Sequence, residues 1–508
     1  MNRAIPNDNA PSTKLSWLDR SVIYSLDWER LLYIAFFVIA VVSRLWDMGA
    51  RVMSHDESLH TTYSYNLATG KGFQHTPMMH GPFLFHITAI SYFLFGADDF
   101  TSRLPFAIFG VFLVISPYFF RRYLGRVGAL ATSFSILISP SLLYHARYIR
   151  QEGTIVVWSV LTVLFIFKYL ESRKFGWLAA LSAVLAFHAS DKATNFFNVA
   201  IMAVFLAPLV LIELLSHKNA SKDIRTALAY LGVFAGSLVG SAFLFELISS
   251  KILIPLLKPQ ISVQTGGSFG VSIDGGSLVY MLLMIALGAA ACAGLYFLFR
   301  RLFGEWLNEI ENKSPAFNIL IVAVITTMFM ASAATLLVLN PIWKIFNGGA
   351  EMIAIKTFDN NAVFSNDMNM ITTLFALNIG LAVVAAAVGI SWNWRRWLVI
   401  IGIFFGITVP LFTTLFTNGS GIGTGFVGQL GYWMAQQGVA RGSQPWYYYF
   451  ILVPLYEYLP LVGGLCAMGL VAVSGFRSLF KAPSAGENQP DDEDVVVAPV
   501  TAPARSAA

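Results

Sequence analysis

A chain of 508 residues that is 56% hydrophobic and only 12% charged, with a mean hydropathy of +0.65, carries more apolar surface than a water-soluble core can bury. Soluble multidomain architectures are thereby excluded, and the chain is read as an all-α polytopic membrane protein. The net charge is only +5 with no basic run, which excludes nucleic acid as a partner, and the two cysteines, Cys292 and Cys466, fall inside apolar stretches, away from any disulfide or thiolate-metal framework.

Residues 1–30 are polar and lack the short apolar core of a cleavable signal, so the first span is expected to act as the insertion signal. A helix needs about 20 apolar residues to cross roughly 30 Å of hydrocarbon. Stretches that approach this are 31–46, 104–120, 127–144, 153–170, 176–190, 196–215, 226–248, 277–299, 316–339, 370–390, 397–416 and 447–475, about twelve spans. The apolar stretch 82–96 is too short to cross and reads as a juxtamembrane helix. With it left out, Arg121, Arg122, Arg126, Lys168, Arg173, Lys174, Lys218, Lys222, Arg225, Arg300, Arg301, Lys313, Arg395, Arg396, Arg477 and Lys481 all fall in alternate, short loops. Those loops and both termini are expected in the cytoplasm. The sparsely basic loops 47–103, 145–152, 191–195, 249–276, 340–369 and 417–446 then face outward from the cell membrane. From about 481 a Pro/Ala-rich acidic tail, with Asp491-Asp492-Glu493-Asp494, is expected to be disordered, so three segments are read: 1–30, 31–480 and 481–508.

The outward loops hold the unusual polar chemistry. His55-Asp56-Glu57-Ser58-Leu59-His60 follows the first span directly. Adjacent carboxylates on a helix point in different directions, so Asp56 can act as a general base while Glu57 orients an acceptor. Alternatively, the pair is a solvated acidic helix start. Five of the eight histidines lie between His55 and His86, and His55, His60 and His80 are read as contacts to phosphate or sugar. The spacing matches no stereotyped zinc motif; if a divalent cation binds as cofactor, its expected ligands are Asp56, Glu57 and His60. A helix from about residue 140 puts Arg147 and Arg150 on roughly one face beside Glu152, a set suited to phosphate near a carboxylate, or to interfacial snorkelling. Lys192 stands with Asp191 at a span end, as a phosphate partner or in a structural ion pair. The last outer loop offers Gln436, Gln437, Trp446 and Tyr447 as substrate contacts and Arg441 as a further phosphate partner; an interfacial aromatic belt accounts equally for the tyrosine run.

The acidic pair, His80-Gly81-Pro82, Arg103-Leu104-Pro105, and Ser139-Pro140 followed by Arg147 and Glu152 resemble the polytopic GT-C glycosyltransferases that use polyprenyl-phosphate sugars. Over about 30–480 the chain also resembles the flippase-activity-associated proteins, chiefly in His55-Asp56-Glu57, His80-Gly81-Pro82 and Gln436-Gln437 through Arg441 to Trp446-Tyr447-Tyr448-Tyr449. The resemblance implies a GT-C-like bundle of 11–13 transmembrane helices with juxtamembrane helices in the first outer loop. It also implies that Asp56 is the catalytic base and Glu57 its partner. Gly81-Pro82 stands where related transferases often have Pro-Pro, and Glu152 where they commonly have Asp. The expected function is transfer of a sugar from a polyprenyl-phosphate donor to a lipid, glycan or protein acceptor on the outer membrane face. Arg147, Arg150, Lys192 and Arg441 would hold the leaving phosphate. The alternatives are an accessory subunit or transporter for flipping lipid-linked sugars, and a structural subunit. The absence of a sequence repeat weakens the transporter reading.

Overall fold

The structure is a computed structural model and describes residues 27–264, 270–360, 368–439 and 444–480. The N-terminal 1–26, Arg441 and the acidic tail lie outside the described residues. The chain divides into two units, Met1–Pro445 and Trp446–Ala508.

In the first unit, α1 (Trp28–Leu45) leads to two helices of the first long loop, α2 (His55–Ala68) and α3 (Phe83–Phe95). α4 (Asp99–Ile115) and α5 (Arg121–Ile138) form a hairpin rather than one continuous 40-residue helix. Between them lies a 3-10 turn at Ser116–Phe120, and Gly125, whose φ of 70° breaks the helix, follows within the first turns of α5. The ends confirm the reversal. Glu29 at the start of α1 pairs with Arg121 and Arg126 at the start of α5, while Arg44 at the end of α1 donates to the Ile136 and Leu137 carbonyls. α1 and α5 therefore run parallel, with α4 antiparallel to both.

α6 (Pro140–Ala146), α7 (Gln151–Ser172), α8 (Phe175–Asp191), α9 (Asn195–Leu215) and α10 (Ala220–Ile248) continue the up-and-down path. Ser139 ends the third span six residues earlier than 144, because its hydroxyl accepts the Leu142 amide and opens α6 with Pro140 at its first position. After the short α11 (Ile254–Leu257), an antiparallel hairpin pairs Ile261–Gln264 with Gly270–Ile273. α12 (Gly275–Lys313) is 39 residues, about 58 Å of helix. α13 (Pro315–Thr327) and α14 (Ser332–Phe346) form one broken span, bent by 75° at Ala331.

α15 (Met368–Phe412) is interrupted at Asn393, whose φ of −163° and ψ of 103° are not helical. Its Thr372 and Thr373 meet Tyr280 and Glu246, Asn393 meets Glu311, and Thr414 beyond its end meets Phe73. The two halves are thus two antiparallel passes, as the 370–390 and 397–416 stretches predict. α16 (Gly421–Gly423) and α17 (Gln429–Ala435) close the unit, and α17 packs against the Pro77–Met79 turn.

In the second unit α18 (Tyr448–Tyr456) and α19 (Tyr458–Phe480) are bent by 97°, so the single 447–475 span of the sequence reading is broken at Glu457, three residues after Pro454. Among the described residues six helices are long and apolar enough to cross a membrane, or eight with the bent pairs. The doubled-back α4–α5 and α15, with α1 and the 17-residue α8, restore the twelve passes of the sequence. α3 is a 13-residue apolar helix, shorter than a span, as expected for 82–96.

Lipid offers no hydrophobic gain for helix association, so close packing holds these passes together. A Cβ on Gly380 would stand 2.9 Å from the Ala242 Cα, which shows how nearly α15 and α10 touch. Ion pairs are confined to the two ends of the bundle among the described residues, one end carrying Glu57 and the other Glu29 and Glu311.

Candidate active site

α2 starts with a reciprocal cap: the Ser54 hydroxyl accepts the Glu57 amide, and the Glu57 carboxylate accepts the Ser54 amide at 3.1 Å. This turns Glu57 inward and Asp56 outward. Glu57 is fully buried, with Arg103 Nε at 3.0 Å and Arg51 Nη2 at 2.8 Å from its Oε1, and the Ile149 amide at 3.4 Å. Burial alone would raise its pKa. The hydrogen bonds from Arg103 and Ser54 and the charges of both arginines outweigh burial and hold the carboxyl below its ordinary range. Arg51 also lies over the Tyr144 and Tyr148 rings. Glu57 therefore fixes the loop, with its oxygens committed, instead of facing an acceptor.

Asp56 is 43% exposed and opens an alternating relay. Arg150 Nη1 stands 3.0 Å from its Oδ2, Arg150 Nε is 3.4 Å from Glu152 Oε2, and Lys192 Nζ is 2.8 Å from Glu152 Oε1. Of the expected phosphate partners, Arg150 and Lys192 are gathered here with Asp56 and Glu152. Arg147 is not. α6 ends at Ala146, and Arg147 donates to the Ser43, Trp46 and Asp47 carbonyls, capping the end of α1. The expected shared face of Arg147 and Arg150 is lost because no helix joins them.

His60 shares the buried face of α2 with Glu57. Its Nδ1 donates to the Ile149 carbonyl at 2.8 Å, and burial, opposed by that bond, lowers its pKa and keeps the ring neutral. His80 sits beside the relay with φ of 63°, a left-handed value uncommon for a non-glycine residue. Burial, then the Lys192 charge, pushes its imidazole down to about 3. Two bonds hold this turn: His75 Nε2 donates to the His80 carbonyl at 2.6 Å, and the Gly81 amide donates to the Asp191 carbonyl at 2.9 Å. A Cβ on Gly81 would fall 2.0 Å from the Ser190 carbonyl oxygen, so the approach of the turn to α8 admits only glycine. His75 is itself buried, 2.8 Å from the Thr424 hydroxyl, and ties this turn to the last outer loop.

His55 is exposed at the first position of α2. Gln436 is half-buried after α17 and the exposed Gln437 donates to the Trp433 carbonyl. Trp446 and Tyr447 belong to the second unit, 85% and 46% exposed. Among the described residues no group of three or more His, Cys, Asp or Glu side chains is placed to hold a metal ion. Asp56, Glu57 and His60 are not gathered into such a group, and the Glu57 carboxylate is engaged by two guanidiniums. The sequence reading missed Arg51 and the burial of Arg103, and counted His75 in the histidine cluster without a role of its own; the Ser54-x-x-Glu57 spacing is the signal that marks Glu57 as a capping residue.

Residues 79–245 match the family model described as dolichyl-phosphate-mannose-protein mannosyltransferase. Among solved structures, the chain is similar to ArnT from Cupriavidus metallidurans, at 17% identity over 72% of this chain and 77% of that one, with a TM-score of 0.31 in the apo state. The undecaprenyl phosphate-bound form gives the same identity and coverage with a TM-score of 0.30. The oligosaccharyltransferase AglB from Archaeoglobus fulgidus, in complex with an inhibitory peptide and a dolichol-phosphate, is similar at 12% identity over 88% of this chain and 55% of that one, with a TM-score of 0.31. No curated protein sequence matches this one. The matched family segment contains the His80-Gly81-Pro82 turn, Arg150, Glu152 and Lys192. The likeness to that family covers about a third of the 508 residues.

Proposed function

We propose that the chain is a membrane glycosyltransferase that moves a sugar from a polyprenyl-phosphate donor to an acceptor at the relay, with Asp56 as general base and with Arg150 and Lys192 receiving the phosphate of the donor; the family match over 79–245 supports this reading. The observation that carries this is the division of labour within the acidic pair. Glu57 is fully buried between two arginines, whereas Asp56 is 43% exposed and stands beside Arg150. As the acceptor oxygen bonds to the anomeric carbon, the bond to the phosphate oxygen breaks and its electron pair stays on the phosphate. The acceptor proton passes to Asp56. Direct displacement inverts the anomeric centre. Glu152 occupies Arg150 and Lys192 before the donor arrives, and the developing phosphate charge then competes for both.

A groove of about 510 Å³ supports a lipid carrier. Its walls include Ile136, Ile155, Val160 and Ile201, and His188, Thr194 and Asn198 lie toward Lys192. The basic loops gathered at the other end of the bundle support an active side that faces outward from the cell membrane. The last outer loop, through α17 on the Pro77–Met79 turn, supports Gln436 and Gln437 as acceptor contacts. The accessory, flippase-type reading calls for ionisable groups through the span midplanes. The ion pairs described lie at the ends.

The test is transfer from a radiolabelled polyprenyl-phosphate sugar by the purified chain in liposomes. Asp56→Asn is expected to lose about 10²–10⁴ in rate while still binding donor. Undiminished transfer by that variant removes Asp56 from the role.

A further inference from the structure

A second cavity, of about 730 Å³, lies far from the relay, between the α4–α5 hairpin, α7 and α8. Arg121, Arg122, Arg126 and Lys168 all line it. Lys168 is sixteen residues beyond Glu152 on α7, about 24 Å along the helix. The cavity therefore stands nearly one hydrocarbon thickness from the active site, at the opposite membrane surface.

Its chemistry is divided. Glu29 pairs with Arg121 and Arg126 at 3.1 and 3.4 Å, and Glu171 pairs with Arg122 at 3.3 Å. Among the described residues Lys168 has no ion-pair partner, and the Arg122 side chain is 75% exposed. Phe112, Leu164, Phe165 and Trp177 form apolar walls. Gly125 contributes its backbone, and a side chain built there meets nothing within 4 Å. Charges that only fix topology need no shared cavity. Here four cations surround one hollow with an aromatic lining, and one of them is unpaired.

We propose that this cavity binds the phosphate headgroup of an anionic phospholipid, with Lys168 and Arg122 on the phosphate and a fatty chain along Leu164 and Phe165. Basic pockets between transmembrane helices suit such headgroups, since a lipid phosphate brings its charge already at the membrane surface. The site is separate from the sugar-transfer reading and stands whether or not that reading holds.

The test is native mass spectrometry of the full chain released from nanodiscs of equal phosphatidylglycerol and phosphatidylcholine. Wild type is expected to retain phosphatidylglycerol preferentially. Arg122→Ala with Lys168→Ala should reduce that preference at least about tenfold. Lys168→Arg should keep it, and the circular dichroism melt verifies that each variant is folded. Inorganic phosphate at 10 mM should not displace the lipid; displacement would identify a soluble-phosphate site and overturn the lipid assignment. No preference in wild type, or an equal preference in the double variant, overturns the site itself.

Discussion

Two clusters of arginine and carboxylate lie side by side at one end of the bundle, and they behave oppositely. Around Glu57, a buried carboxylate is enclosed by Arg51, Arg103 and two backbone amides. Around Asp56, the charges alternate along an accessible line through Arg150, Glu152 and Lys192. Both pair carboxylates with cations, and they differ in solvent access, Glu57 being fully buried and Asp56 partly exposed. The enclosed cluster has no vacant oxygen for a ligand and spends its charge on geometry. The open one leaves Asp56 and Arg150 partly exposed, as the proposed exchange of a carboxylate for a phosphate requires. A rigid element placed directly behind an accessible one would keep the proposed base in position while charges rearrange.

That contrast can be broken most severely at Arg103. Arg103→Ala leaves Glu57 buried with half its compensation, and a loss of about 3–5 kcal/mol in stability is expected, read from thermal unfolding in detergent. An unchanged unfolding temperature would mean the enclosed cluster is not structural. Gly81→Ala comes next. Its Cβ collides with the Ser190 carbonyl, so the turn must withdraw from α8, costing about 1–3 kcal/mol and displacing His80. Transfer and stability should fall together in that variant.

Acid sharpens the comparison less strongly. Burial pushes His75 down to about 4 and His80 to about 3. An unfolded chain protonates both rings below about pH 6.5, whereas the folded one resists until those lower values. Stability is therefore full above about pH 6.5 and declines as pH falls toward 4. The melting temperature should follow this slope, and His75→Gln should flatten part of it. The smallest effect is expected from Glu152→Asp. A side chain one methylene shorter cannot span Arg150 and Lys192 together, so under about 1 kcal/mol of stability is lost. The donor KM should change a few-fold. A change in kcat alone would contradict a binding role for Glu152.

The passes and the acidic pair were legible because apolar length and adjacent carboxylates are local properties. Even the two internal breaks of α15 and α4–α5 were marked by charged or glycine-containing stretches between apolar ones. What was not legible depends on partners distant in sequence. Arg147 and Arg150 differ by three positions and have the same charge. One caps α1 because the Ser43–Asp47 carbonyls happen to end there, and the other meets Asp56. Nothing local distinguishes them. Glu57 was half legible, since its capping spacing with Ser54 is written in the chain, but the enclosing Arg51 and Arg103 are set by packing.

The length of α12 has a practical consequence. Its last fourteen residues, from Arg300, run about 21 Å past the apolar part of the helix and are tied there to α15 by Arg300 on the Ser391 carbonyl and by Glu311 to Arg396. This overhang is a rigid handle on the face opposite Asp56. A cysteine placed at Glu305 in a chain without Cys292 and Cys466 would report the orientation of each inserted molecule to a membrane-impermeant thiol reagent. Vesicles could then be sorted by which face they expose, and transfer measured from one side at a time.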